Sequence, residues 1–133
     1  MTNNDAGANA LFTDFYALTM AQGYWKKHMN RPVVFDMFFR RNPFNAGFSV
    51  LAGTEPLMDA VLAFHLEDSD IAFLAEQGLF EQGFLDYLKN FKFTGEIYAV
   101  EEGSVMFPNE PLLRVKAKAV EAQFIETAIL CII

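Results

Sequence analysis

Two short runs of this chain carry side chains able to act on a small aromatic or anionic molecule. In Thr13-Asp14-Phe15-Tyr16, a carboxylate and a phenol stand two residues apart. In Arg40-Arg41, two guanidinium groups are adjacent. The phenol and carboxylate could grip a small aromatic acid or amide, through ring contact and hydrogen bonding. The guanidinium groups could take phosphate oxygens in bidentate pairs, or they could answer carboxylates at the surface. Other chemistry is hard to find. His28 and His65 fall near helix ends without metal-ligand spacing, and neither a Gly-x-x-x-x-Gly-Lys loop nor a Gly-x-Ser-x-Gly elbow is present. No self-sufficient catalytic apparatus is visible.

The elements that must position these residues follow from periodicity. Leu11, Phe15, Leu18, Gln22 and Trp25 recur at helical spacing, predicting a helix from Thr13 to Lys27 with that stripe inward. Thr13 or Asp14 would cap it, and Lys26-Lys27-His28 suits its negative end. Tyr16 and Asp14 lie off the stripe. Val33 to Arg40 reads as a strand, with Val33, Phe35, Met37 and Phe39 facing the core and Arg40 leaving on the other face. Asn42 to Gly47 is a loop.

A short strand at 48–51 and helices near 55–64, 69–77 and 80–91 follow, the last with Phe80, Phe84, Tyr87, Leu88 and Phe91 on one stripe. From Gly95 the pattern becomes strands at 96–100, 104–107 and 112–117. Glu67-Asp68-Ser69-Asp70 reads as a helix start, and Glu101-Glu102 as a solvated turn. Val120 to Ile133 reads as a helix, apolar on nearly every side after Glu126, which belongs inside a larger protein. It carries no stop signal, so the chain reads as a fragment cut in mid-helix. Residues 1–10 are expected to be flexible.

Bulk properties narrow the function classes. A chain of 133 residues suffices for one domain with a core. Its hydrophobic fraction of 53% includes fifteen phenylalanines, which predicts a surface covered by a partner. Ten basic against seventeen acidic residues, a net charge of −7, oppose nucleic-acid binding. No apolar run reaches the roughly 18 residues of a membrane span, and the first residues resemble no signal peptide. Cys131 is the sole cysteine, which fits a reducing cytoplasm and excludes a disulfide framework.

Three blocks, in order, resemble the nicotinate phosphoribosyltransferases. Thr13-Asp-x-Tyr-x-x-Thr-Met20 is similar to the signature near that family's N-terminus. Phe38-Phe-Arg-Arg-Asn-Pro-Phe44, followed by Gly47-Phe48 and Ala52-Gly53, is similar to its second block. Glu102-Gly-Ser-Val-Met-Phe-Pro-Asn-Glu-Pro-Leu-Leu-Arg-Val115, followed by Glu121-Ala-Gln-Phe-Ile-Glu-Thr127, is similar to its third. In the third block, Pro108 and Pro111 shape a tight connection, and Gln123 and Glu126 would satisfy buried polar groups.

The resemblance implies an α+β fold: the mixed helix and short antiparallel-sheet N-terminal domain of a type II phosphoribosyltransferase, truncated before the α/β barrel. Residues 11–117 would form the domain and 118–133 the start of the helix leading into the barrel. It further implies an enzyme joining nicotinate to phosphoribosyl pyrophosphate in NAD salvage, with ATP and magnesium, as a homodimer with shared active sites. Tyr16 would stack on the pyridine ring, with Asp14 orienting the site or capping its helix. Arg40 would reach phosphate, with Arg41 in reserve. No catalytic or metal-ligating residue is expected in this stretch, which alone would be inactive. A nicotinamide- or quinolinate-using relative, or a non-catalytic interaction module, are the alternatives.

Overall fold

The computed structural model describes residue 11 and residues 13–133; the expected flexibility of residues 1–10 lies outside them. The first helix, α1 (Phe15–Lys26), is followed by strand β1 (Pro32–Met37), a single 3-10 turn at Pro43–Asn45 and strand β2 (Ser49–Val50). Three helices come next: α2 (Thr54–Ala63), α3 (Asp68–Glu76) and α4 (Gln82–Lys89). Strands β3 (Glu96–Ala99), β4 (Val105–Met106) and β5 (Leu113–Lys118) lead into helix α5 (Ala119–Ile132). The α+β expectation holds. Each expected helix and strand is present, with ends displaced by up to three residues.

The strands form an antiparallel sheet ordered β1-β5-β3 and a separate two-stranded ribbon, β2-β4. Central β5 shows why the sheet has one dry face. Leu113, Val115 and Ala117 are buried, while Arg114, Lys116 and Lys118 between them are exposed. Register places Val33, Phe35 and Met37 opposite those three apolar residues, on the face expected for them. Burial there is incomplete: Phe35 remains 37% exposed, because β1 is an edge strand bordering an open groove. The strand is also shorter than expected. Pairing with β5 ends at Met37, after which the chain is held by a bond from the Asn109 N–H to the Phe39 carbonyl at 2.8 Å.

Helix α5 packs on α1, α2, β1 and β5 and is buried along most of its length. Val120 and Phe124 join a cluster with Leu18, Phe64, Leu74, Phe84, Leu88 and Phe91. Ala122, Ile125 and Ile129 join a second cluster with Leu57, Val61, Leu113 and Val115. Its first turn is tied down by polar bonds: the Val120 N–H donates to Asn30 Oδ1 at 3.0 Å. Buried Glu121 accepts from the Thr94 N–H at 2.7 Å and from its hydroxyl at 3.0 Å. Those bonds satisfy a carboxylate that would otherwise be costly to bury.

One expectation for α1 needs correction. The stripe on α1 does not turn inward as a whole: Ala17, Leu18 and Ala21 are buried, whereas Phe15 is 47% exposed and Trp25 half-buried. Small residues one turn apart let α5 approach closely, so the bulky rings are displaced to the flank. There Phe15 meets Phe80, and Trp25 meets Phe84, at centroid distances of 5.9 and 5.8 Å. Gln22 acts as a polar clamp, donating to the Leu79 carbonyl and accepting from the Glu81 N–H.

Glu101 and Glu102 are exposed at a turn, as expected, and Glu102 has a further part to play. Its carboxylate accepts from the backbone N–H groups of Gly53 and Thr54, both at 3.2 Å, and from the Thr54 hydroxyl, so it closes the start of α2. The Thr54 hydroxyl bond, then the Gly53 backbone bond, hold its pKa below the usual carboxylate value. Asp70 similarly accepts from the Glu67 N–H at 2.9 Å at the start of α3, as expected of that acidic run.

Gly53, the residue before α2, has φ +103°, and a Cβ there would lie 2.7 Å from the Ile132 carbonyl oxygen. Gly53→Ala should therefore destabilise the protein by about 1–3 kcal/mol. Gly23, inside α1 with nothing within 4 Å of an added Cβ, should respond oppositely. Gly23→Ala should stabilise by about 0.5–1 kcal/mol. Urea unfolding midpoints of the two variants check both signs; a Gly53→Ala protein as stable as its parent would refute the close approach.

Candidate active site

The sequence-predicted site residues do not all converge. Asp14 is the residue before α1, with extended backbone (φ −66°, ψ 137°), and its carbonyl accepts from the Ala17 N–H at 2.9 Å. Its side chain makes no capping bond, so of its two expected roles the structure withholds that one. Tyr16 follows in the first turn and is 53% exposed, off the buried face as expected. Helix α1 meets α5 at this end, where the Thr13 and Thr127 hydroxyls lie 3.4 Å apart. That junction brings Glu126 close enough to act on the phenol. Its charge is the largest influence raising the Tyr16 pKa, followed by partial burial and by Asp14.

The adjacent arginines part company. Arg40 lines a groove of about 460 Å³ between β1 and α5, together with Phe35, Asp36, Met37, Phe38, Glu126 and Leu130. Arg41 lines a different groove, of about 330 Å³, with Phe39, Pro43, Ser49 and Leu51. The chain bends at both residues after β1 has ended, and the two side chains leave toward different grooves. Glu126 thus links two of the expected site residues: it acts on Tyr16 and shares a groove with Arg40. Arg41 stands outside that grouping.

Charge pairing distinguishes the acids of the groove. Asp36 receives two bonds from Arg114, Nε to Oδ1 at 2.6 Å and Nη2 to Oδ2 at 2.9 Å. Those bonds pull the Asp36 pKa down and push that of Arg114 up. Among the described residues, neither Arg40 nor Arg41 forms an ion pair. A guanidinium lining a groove with no carboxylate attached remains available to an anionic ligand. Phe44, three residues beyond Arg41, is 98% exposed and holds φ 57°, in the left-handed region that bulky residues rarely adopt.

Sequence reasoning placed Glu126 among residues that satisfy buried polar groups. Its Oε2 does accept from Gln123 Nε2 at 2.7 Å. Its place beside Tyr16 and in the groove of Arg40 was missed. The available signal was its position in the Glu-Thr pair of α5, with nothing local to show that α1 would dock there.

Comparison with known proteins bears on this arrangement. A family model described as the nicotinate phosphoribosyltransferase N-terminal domain matches residues 11–133. A nicotinate phosphoribosyltransferase of Mycobacterium tuberculosis is 40% identical over 121 residues, covering 91% of this chain and 26% of that protein. The crystal structure of human nicotinic acid phosphoribosyltransferase superposes with a TM-score of 0.82 at 36% identity, over 90% of this chain and 25% of the human chain. A nicotinate-nucleotide pyrophosphorylase from Pyrococcus furiosus shares the fold, with a TM-score of 0.70 at 20% identity over 100% of this chain and 26% of that one. The chain therefore spans about a quarter of the length of the relatives it matches.

The Tyr16 phenol should ionise above the usual tyrosine range, and Glu126→Gln should bring it down by removing the neighbouring charge. Ultraviolet titration of the phenolate band, with Tyr16→Phe subtracted to isolate this residue, measures both. An unchanged titration in Glu126→Gln would separate α1 from this part of α5.

Proposed function

The chain belongs to the nicotinate phosphoribosyltransferase family as its N-terminal domain, and from that premise we propose that it serves an enzyme joining nicotinate to phosphoribosyl pyrophosphate. The products are nicotinate mononucleotide and pyrophosphate, a step of NAD salvage. The observation that carries this reading is the match over residues 11–133, which spans Asp14, Tyr16, Arg40 and Arg41 together. Nicotinate, rather than nicotinamide or quinolinate, is the choice supported by the activity named for the relatives aligned at 36–40% identity.

In this reaction the bond from the ribosyl carbon to pyrophosphate breaks, leaving that carbon cation-like, and the pyridine nitrogen donates its electron pair to form the new bond. The domain's part is to position the ring and to neutralise phosphate charge. Tyr16 is exposed in the first turn of α1, where its ring can stack on a pyridine, a contact worth about 0.5–1.5 kcal/mol beyond the area it buries. Asp14 helps orient that end of the site. Arg40, unpaired in its groove, takes phosphate oxygens; Arg41 is its reserve on the opposite side.

Magnesium and ATP belong to this reading through the family. Among the described residues, no group of three or more His, Cys, Asp or Glu side chains could hold a metal ion, so no step is assigned to magnesium within this domain. A homodimer with shared sites is the proposed assembly. It would give Phe44 and Phe48, both exposed after the arginines, a surface to pack against. A cytoplasmic setting accompanies the salvage role; no helix among the described residues is long and apolar enough to cross a membrane.

The 133-residue polypeptide by itself should have no phosphoribosyltransferase activity, since its relatives carry about three-quarters of their length outside the matched region. Turnover by the purified polypeptide, free of host enzyme, would overturn that expectation. In the full-length protein, Tyr16→Ala should raise the KM for nicotinate about tenfold with little change for phosphoribosyl pyrophosphate, and Arg40→Ala should do the reverse. Wild-type kinetics in both variants would refute the site assignment and leave the family untouched.

A further inference from the structure

The groove between β1 and α5 contains two charged side chains of opposite sign that are not spent on each other. Asp36 is engaged by Arg114 through two hydrogen bonds. Arg40 and Glu126 line the same groove, yet no ion pair joins them and neither has another charge partner among the described residues. Glu126 is nevertheless held in place. Gln123, only 4% exposed, donates Nε2 to its Oε2 at 2.7 Å, and the next residue, Thr127, meets Thr13 on α1. Oε1 takes no hydrogen bond among the described residues. The result is an anchored, half-buried carboxylate with a free acceptor oxygen, in the same groove as an available guanidinium.

This combination selects a ligand class. A bare anion would be drawn by Arg40 and repelled by Glu126, whereas a simple cation would meet the reverse. A molecule carrying an anionic group at one end and hydroxyl donors at the other satisfies both, because carboxylates accept hydroxyl hydrogen bonds and guanidinium groups take phosphate oxygens in pairs.

We propose that Glu126 is a ligand-binding residue of this groove, accepting hydrogen bonds from the hydroxyls of a phosphorylated sugar whose phosphate is held by Arg40. The proposal rests on the assignment of Arg40 to phosphate above and extends that site to the sugar. Glu126 then makes the groove selective, favouring a sugar phosphate over the bare phosphate group it contains.

Calorimetric titration of the full-length protein with two probes, ribose 5-phosphate and inorganic phosphate, tests this. Glu126→Gln should weaken ribose 5-phosphate about tenfold, the loss expected for a hydrogen bond to a charged group, and leave inorganic phosphate unchanged or tighter. Arg40→Ala should weaken both. A parallel loss of both probes in Glu126→Gln would mark a purely structural residue and overturn the proposal, as would unchanged binding of ribose 5-phosphate or a wild-type protein that binds neither probe. Wild-type protein that binds ribose 5-phosphate through Glu126 but transfers no phosphoribosyl group to nicotinate would support this site while refuting the enzymatic reading.

Discussion

The burial of α5 between two apolar clusters is the constraint on which the other elements depend. Val120 and Phe124 face the helical cluster, and Ala122, Ile125 and Ile129 face the cluster built on the sheet. No polar face is left over along this stretch, so the helix has to be enclosed from both sides. Helices α1 and α2 and strands β1 and β5 supply the enclosure. The candidate site is a by-product of that packing. Tyr16 reaches Glu126 because α1 docks on α5, and Arg40 shares a groove with Glu126 because β1 borders the same helix.

Enclosure explains why polar residues recur along a helix so thoroughly buried. Glu121 and Gln123 are 3% and 4% exposed, and each finds a partner: Thr94 for the carboxylate, Glu126 for the amide. A buried polar group without a bond costs on the order of 1–3 kcal/mol, so these bonds also specify how the neighbouring segments seat. The Thr94 bonds register the loop before β3, and the bond from Val120 to Asn30 registers the turn after α1.

Much of this was legible in the sequence because the informative signals are local. Alternation in Leu113–Lys118 and the stripe from Phe80 to Phe91 reveal element type within a few residues. Pro43 and Gly47 mark the loop beyond the arginines. What escaped was non-local. Glu102 reads as a turn residue until Gly53, 49 positions away, is seen to need its carboxylate. Glu126 reads as structural until α1 is seen to dock beside it. Phe15 reads as core because helical spacing counts apolar residues without showing how close the facing helix comes; Ala17 and Ala21 decide that distance. Asp14, Tyr16 and Arg40 were found as site candidates by chemical type, but the link between Tyr16 and Arg40 through Glu126 required the fold.

The pairing of Arg40 with Arg41 carries a consequence for how such a site tolerates change. Beyond Met37 the chain is no longer paired with β5 and bends at Arg40 and Arg41, which line two different grooves. A shift of one residue in this short stretch would seat one arginine in the other's place and bring Phe39 or Asn42 to the position left vacant, so the charge of the two grooves would change. The two adjacent cations are therefore not interchangeable: chain length at the place where the strand lets go decides which groove carries which charge.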